Sequence, residues 1–351
     1  MCSAAHAALT QSDPYKNKAR SDDGNAWTVP SARPPRVALV GECMIEMRAE
    51  PDALYTQTFG GDTLNAAVYL SRLSAGSAMV TDYITAIGAD SFSVAMRQLW
   101  RDEGVGDQHV RVIKDALPGL YFIQTDEQGE RRFVYWRGEA AARRVFDGPE
   151  ADALLQALAG YDYVYLSGIS LAILTPGGRE RLMDALRQAR QAGTRIVFDN
   201  NYRPHLWPDT QTARQVYSDM LRLTDLALIT WEDDVALFGY ADHEALFRAY
   251  AGFGVGEVAL KCGAAPCVIQ CAAGRFEVPA ERVPRIVDTT AAGDSFSAAY
   301  LACRLQGGTP QLAARWGHQL AARVVQHQGA LIPVAAMPSL HMPSFSSVAE
   351  A

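Results

Sequence analysis

The second half of the chain repeats one pattern, in which a short apolar segment is followed by an amphipathic segment of helix length. The strand-like segments are Tyr163–Leu166, Arg195–Asp199, Leu226–Ile229 and Glu257–Lys261. The helix-like segments that alternate with them are Gly177–Ala192, Thr210–Arg222, Glu232–Phe238 and His243–Ala251. This alternation predicts an α/β fold with a mainly parallel central sheet and helices on both of its faces. Because ligands bind beyond the carboxyl ends of such strands, the residues that follow each strand are the candidates for a site.

The N-terminal part of the chain adds a second kind of element. Val37–Val40 predicts a buried strand and Asp62–Leu73 predicts a helix, which begin the same α/β domain. Between Leu120 and Arg137, apolar and polar residues alternate on both sides of a Gly-containing break at 126–130, which predicts a β-hairpin. A hairpin among α/β units predicts a small appended sheet, and we interpret it as a lid.

Charge and cysteine usage exclude several classes of protein. The net charge of −7 argues against nucleic-acid binding, which requires a basic surface. No apolar run reaches the length of a membrane-spanning helix, so no contact with a membrane is predicted. The six cysteines include no C-x-x-C pair and no zinc-binding spacing, which is typical of a reducing compartment, and we expect a cytoplasmic protein. Residues 1–35 and 339–351 lack apolar periodicity and are predicted to be flexible.

The strongest candidate motif is the segment Asp288–Phe296. It follows a short strand-like run, Arg285–Val287, and opens a helix that runs from near Ala292 to about Leu305. The small residues at 291–293 allow a close approach of the backbone to a ligand, and N–H groups at a helix N-terminus favour an anion. Asp294 would then lie beside this anion hole, where a carboxylate can accept the proton of an attacking hydroxyl. An ordinary helix cap with an acidic first turn is the alternative interpretation.

A second candidate motif is the segment Phe59–Asn65. The pair Gly60 and Gly61 permits positive φ and a close backbone approach, and the Asn65 amide is both a donor and an acceptor. The alternative is a plain turn before a helix. No Gly-Lys dipeptide occurs in the chain, so a nucleotide would be bound without a P-loop.

Taken together, the two motifs resemble the signatures of the ribokinase-like (PfkB) carbohydrate kinase family, with Ala291 where many members have Gly. The segments Tyr135–Arg137 and Asp199–Trp207 are most similar to the subfamily of 2-dehydro-3-deoxygluconokinases. The resemblance covers about Arg36 to Pro338. It implies a ribokinase-like three-layer sandwich, with one kinase domain over residues 36–338 and a β-sheet lid formed by about 43–58 and 117–137.

The implied reaction is ATP-dependent phosphorylation of 2-dehydro-3-deoxy-D-gluconate at its 6-hydroxyl, with Mg²⁺ neutralising the ATP phosphates. The resemblance implies Asp294 as the general base, with the N–H groups of Ala291, Ala292 and Gly293 stabilising the transferred phosphoryl group. The implied ligands of the sugar acid are Gly60, Gly61, Asn65, Tyr121, Tyr135, Arg137 and Arg203. The implied nucleotide-binding residues are Thr230, Lys261, Gly263 and Gly293, and Asp233 is expected to contact Mg²⁺ through water. A homo-oligomer is also expected.

The arginines give independent support for an acidic substrate. A 2-keto-3-deoxy sugar acid carries a carboxylate, and a guanidinium fork suits that group. Arg137 leaves the lid hairpin and Arg203 leaves a strand end, so both are predicted to reach one cleft. A solvated hairpin residue and a loop ion pair are the alternatives for these two side chains. Three other functions stay open: a kinase for 2-dehydro-3-deoxygalactonate, a fructokinase, and a non-catalytic sugar-acid sensor on the same fold.

Overall fold

The computed structural model describes residues 33–77, 79–125 and 131–342. In chain order, the strands are β1 (Arg36–Val40), β2 (Met44–Ala49), β3 (Tyr55–Gly60), β4 (Val80–Ile84), β5 (Ala86–Ile87), β6 (Arg111–Val112), β7 (Gly119–Thr125), β8 (Arg131–Trp136), β9 (Tyr163–Ser167), β10 (Arg195–Asp199), β11 (Leu226–Thr230), β12 (Glu257–Lys261), β13 (Cys267–Cys271) and β14 (Gly274–Val278). The helices are α1 (Asp62–Leu73), α2 (Ser91–Asp102), α3 (Asp152–Ala157), α4 (Gly168–Ile173), α5 (Pro176–Ala192), α6 (Thr210–Leu221), α7 (Trp231–Phe238), α8 (His243–Phe253), α9 (Ala292–Leu305) and α10 (Pro310–Val324).

Eight strands form the central sheet, in the order β14-β13-β12-β11-β10-β9-β1-β4. Neighbouring strands from β12 to β4 are parallel, whereas β13 and β14 form an antiparallel hairpin at one edge. The strands β9 to β12 are short and buried on both faces, as parallel strands covered by helices must be. The predicted mainly parallel sheet is confirmed.

Two apolar clusters cover the two faces of this sheet. One includes Leu182 of α5 and Tyr217 of α6, and the other includes Leu64 of α1 and Tyr300 of α9. All four side chains are fully buried. Helices therefore lie on both faces, which confirms the predicted three-layer architecture.

The lid is a separate four-stranded sheet in the order β3-β2-β7-β8. Strands β7 and β8 pair antiparallel, with Tyr121 opposite Tyr135, so the predicted hairpin is confirmed. Its predicted turn at 126–130 lies outside the described residues. The short segments around Gly61 and Arg137 connect the lid strands to the main domain and lie beside the carboxyl end of β1.

One predicted strand is wrong. Arg285–Val287 is exposed and irregular, and it pairs with no strand of the described part of the chain. Its last N–H, that of Val287, donates to the carbonyl oxygen of Val325, just beyond α10, at 2.8 Å. Three residues supply too little apolar surface to compete for a sheet position, so the end of a helix holds this segment instead. The domain limits at residues 36 and 338 stay predictions.

Candidate active site

Asp294 lies in the first turn of α9, where its carboxylate meets α1. The Asn65 amide nitrogen donates to Asp294 Oδ2 at 2.8 Å, across 229 residues of sequence. The pKa of Asp294 is raised to about 7: burial is the largest cause, the nearby Asp62 carboxylate adds to it, and the Asn65 hydrogen bond opposes both. A carboxylate with a pKa near neutrality is a stronger base than an ordinary aspartate and is still ionised in a useful fraction.

The backbone before α9 forms a concave donor surface. Ala291 adopts the left-handed conformation, with φ 60° and ψ 13°, and Ala292 begins the helix. Successive N–H groups in such paired left- and right-handed conformations point into a common concavity that suits an anion. The Ala292 N–H also approaches the Thr289 carbonyl oxygen at 3.2 Å, so Gly293 presents the less engaged of these donors.

The two glycines before α1 are required by close packing. A Cβ atom on Gly61 would lie 2.1 Å from the Glu42 carbonyl oxygen, and one on Gly60 would lie 2.4 Å from the Tyr121 hydroxyl. Neither glycine uses the positive φ that the sequence permits. Their role in the structure is to let the start of α1 approach the lid and the segment after β1.

The lid contributes a buried acid–base pair to the cleft. Arg137 donates to Glu42, and both side chains are at least nine-tenths buried. Burial raises the pKa of Glu42, and the charge of Arg137 opposes that shift. One Glu42 oxygen and Arg137 Nε find no partner among the described residues, so each has capacity for a ligand. The Tyr121 hydroxyl donates to Glu46, which fixes a second lid residue beside Gly60.

The two predicted arginines approach the same aromatic groups. The Arg137 guanidinium lies 5.7 Å from the Tyr135 ring centroid, and Tyr135 stacks on His205 at 6.1 Å. Burial lowers the pKa of His205, and the charges of Arg137 and Arg203 lower it further. The positive charges of both guanidinium groups therefore raise the electrostatic potential in the same region of the cleft.

Arg203 also contacts Asp233. Its Nη1 lies 3.3 Å from each Asp233 carboxylate oxygen, and the Tyr202 N–H donates to the same carboxylate at 3.1 Å. Burial raises the pKa of Asp233, and Arg203 opposes this shift. The sequence alternative of a loop ion pair for Arg203 is thus present, while its side chain stays 43% exposed and accessible to a ligand.

The predicted nucleotide-binding residues occupy different environments. Thr230 ends β11, and its backbone N–H and carbonyl are both bonded by the Asn200 amide at 2.9 Å. Gly263 lies in an exposed turn after β12 with φ 58°. Lys261 is buried, and its ammonium donates to Asp199 rather than toward that turn. The structure therefore does not bring Lys261 and Gly263 together as a single binding surface.

The carboxylates of the cleft fit a metal that arrives with a nucleotide better than a resident metal. In the described ranges, no three His, Cys, Asp or Glu side chains are grouped to hold a metal ion. Mg²⁺ commonly keeps several waters and binds one or two carboxylates together with substrate phosphates. Because Asp233 already accepts bonds from Arg203 and the Tyr202 backbone, a contact through water is the form of Mg²⁺ binding that this residue fits.

Sequence reasoning missed several polar residues of the cleft. Asp62 begins α1 and accepts a bond from the Asn201 amide at 2.7 Å, and Asn200 ties the ends of β10 and β11 together. For Glu42, Asn200 and Asn201 the signal is a polar side chain directly after an apolar strand, whereas Glu46 within β2 and Ser297 within α9 carry no such signal. The missed residues are Glu42, Glu46, Asp62, Asp199, Asn200, Asn201 and Ser297.

The fold and the cleft together have the features of a sugar kinase: a mainly parallel α/β sheet, a buried carboxylate at a helix N-terminus, and a β-sheet lid beside a buried arginine. The chain belongs to the pfkB family of carbohydrate kinases, whose family profile matches residues 35–337. The predicted family and the ribokinase-like fold are confirmed.

Over the described part of the chain, no helix is long and apolar enough to cross a membrane.

Individual relatives agree with this assignment. The 2-dehydro-3-deoxygluconokinase of Dickeya dadantii is 49% identical over 306 residues, which are 86% of this chain and 98% of that protein. The 2-dehydro-3-deoxygluconokinase of Escherichia coli K12 is 47% identical, over 87% of this chain and 99% of that protein. A solved fructokinase with bound ATP from Xylella fastidiosa is 25% identical with a TM-score of 0.72, over 87% of this chain and 95% of that one.

Proposed function

We propose that this protein transfers the γ-phosphoryl group of ATP to the 6-hydroxyl of 2-dehydro-3-deoxy-D-gluconate. The family membership makes it a carbohydrate kinase. The relatives named 2-dehydro-3-deoxygluconokinase, at 47–49% identity over nearly their whole length, support this particular sugar acid.

The observation that carries the proposal is the pair of arginines at one end of the cleft. The charges of Arg137 and Arg203 both lower the pKa of His205, so the two guanidinium groups lie near the same part of the cleft. A sugar acid has one carboxylate that these two groups can bind. Fructose has no such group, so it would leave the Arg137 Nε and the exposed part of the Arg203 guanidinium with no anionic group of the sugar to bind. With the carboxylate at the arginines, the opposite end of the sugar chain is the end that can reach Asp294.

Asp294 accepts the proton of the attacking hydroxyl in this mechanism. Asn65 holds Oδ2, which leaves Oδ1 as the oxygen that takes the proton. The N–H groups of Ala291, Ala292 and Gly293 face the phosphoryl group and stabilise its charge as it moves. Asp233 would hold, through water, the Mg²⁺ that accompanies ATP, and that ion would supply charge neutralisation at the phosphates.

The lid supplies orientation and excludes water. Tyr121 and Tyr135 face the cleft from neighbouring strands of the lid, and their rings lie 5.6 Å apart. With Gly60 and Gly61 packed against the lid, its strands can cover the sugar once it is bound. Excluding water favours transfer to the sugar over hydrolysis of ATP. The expected homo-oligomer and cytoplasmic location stay predictions.

A coupled assay for ADP release tests the proposal. The purified protein is supplied with ATP, Mg²⁺ and, in separate reactions, 2-dehydro-3-deoxygluconate, 2-dehydro-3-deoxygalactonate and fructose. We expect kcat/KM to be highest for the gluconate compound. A preference for fructose would contradict the role of the arginines, a preference for the galactonate epimer would change the substrate within the class, and binding without ADP release would indicate a sensor.

A further inference from the structure

A buried cluster of polar side chains joins the carboxyl ends of β10 and β12 to α9. Lys261 Nζ donates to Asp199 Oδ2 at 2.8 Å and to Ser297 Oγ at 3.0 Å. Ser297 in turn donates to the same Asp199 oxygen at 2.6 Å, and the Tyr165 hydroxyl reaches it at 3.2 Å. The Lys261 and Asp199 side chains are 9% and 5% exposed. Buried ion pairs of this kind contribute little to stability, so stability alone does not explain why this pair is present.

The cluster lies directly beneath the anion hole. Ser297 follows Gly293 by four residues and Asp294 by three, so all three lie on the same face of α9. A Cβ atom built on Gly293 would lie 3.8 Å from Lys261 Nζ. The ammonium group thus lies against the first turn of α9. The sequence-based prediction that Lys261 binds the nucleotide directly is the alternative to this internal role.

We propose that Lys261 is a positioning residue: held by Asp199 and Ser297, it fixes the first turn of α9 and places a positive charge beneath the phosphoryl group without contacting the nucleotide. The inference rests on the proposed kinase function and adds a source of positive potential that the nucleotide never touches. A fixed charge in a site shielded from water stabilises developing negative charge more than it would in solution.

The same charge acts on the general base. Asp294 faces Asp62 and Asn65 from α1, Asp199 from β10 and Lys261 from β12, and the hydroxyls of Tyr69 and Tyr165 lie within electrostatic reach. Lys261 is the cation among these groups. Removing it therefore disfavours the ionised form of Asp294, so that the pKa rises and the enzyme needs a higher pH to hold its base unprotonated.

The test compares Lys261→Met with the double variant Asp199→Asn/Lys261→Met and with Lys261→Arg. For Lys261→Met we expect kcat to fall about tenfold or more, and the acid limb of kcat/KM to move up by about one pH unit. Binding of ADP with Mg²⁺, measured by calorimetry without sugar, should stay within about twofold of wild type. The double variant removes both charges, so its acid limb should return toward wild type while kcat stays low.

Three results would overturn the proposal. Loss of ADP affinity with an unmoved acid limb would make Lys261 a nucleotide ligand. Wild-type kcat and acid limb in Lys261→Met or in the double variant would leave the cluster only a packing role. Should both neutral variants fail to fold, a shifted acid limb in Lys261→Arg, which keeps the charge, would count against the electrostatic role. Failure of the proposed function itself would be recognised separately, because the wild-type protein would then release no ADP with the sugar acid.

Discussion

The hydrogen bond between Asn65 and Asp294 gives the sharpest prediction. Replacing Asn65 with Leu keeps a similar volume and removes the donor to Asp294 Oδ2. The Asp294 carboxylate then stays buried beside Asp62 with one favourable contact fewer. Because the lost bond stabilised the ionised form, the pKa of Asp294 must rise.

The size of the effect follows from the value of such a bond. A hydrogen bond to a charged group contributes about 1.5–3 kcal/mol, which corresponds to a rise of about 1–2 pKa units. Starting from a pKa of about 7, the base of Asn65→Leu would titrate at about 8–9. At pH 7 the ionised fraction falls from about one half to roughly 1–10%, so kcat/KM should fall by about 5- to 50-fold. Activity that needs the ionised base is lost as the pH falls through this raised pKa.

The assay is the pH profile of kcat/KM for 2-dehydro-3-deoxygluconate, followed by ADP release. We expect the deficit of Asn65→Leu to shrink to less than about 1.5-fold near pH 9.5, where both proteins hold a mostly ionised base. Asp294→Asn is the matched control: it has no carboxylate to titrate at this position, so its own kcat/KM should lack this pH dependence and its deficit should grow as the pH rises through about 7. A constant deficit of Asn65→Leu at every pH, carried by KM, would refute the reasoning and make Asn65 a sugar ligand.

Three further predictions concern the anion hole and the acid end of the cleft. Asp294→Asn keeps the shape of the side chain but cannot accept a proton, so kcat should drop by at least about 100-fold with ADP affinity kept; near-normal turnover would exclude the general base. Arg203→Lys keeps the charge but loses the fork that also binds Asp233, so kcat/KM for the sugar acid should fall about 10- to 100-fold, and unchanged kinetics would make Arg203 structural. Ala291→Gly removes a strained left-handed alanine and should raise the free energy of unfolding by about 0.5–1 kcal/mol in denaturant titrations, whereas the helical control Ala292→Gly should lower it.

Local patterns in the sequence were sufficient for the order of the elements. The helix at Asp62–Leu73 and the strands at Arg195–Asp199 and Glu257–Lys261 have the bounds that the sequence predicts. Period-two alternation also identified the lid hairpin. Each of these features depends on side chains a few residues apart, whose spacing alone decides which face of an element is apolar. Arg285–Val287 failed because a three-residue apolar run carries no such periodicity.

The partners of the site residues were decided by the tertiary structure. Asn65 meets Asp294, and Lys261 meets Asp199, only because the order of strands in the sheet brings β10, β12 and the starts of α1 and α9 to one edge. The sequence identified Asn65 and Lys261 as candidate ligand-binding residues, but a hydrogen bond between residues 229 positions apart leaves no local pattern in the sequence. Whether a buried polar side chain faces a ligand or another side chain depends on packing between distant segments, and for Lys261 that packing supplies an ion pair with Asp199 that no local pattern in the sequence reveals.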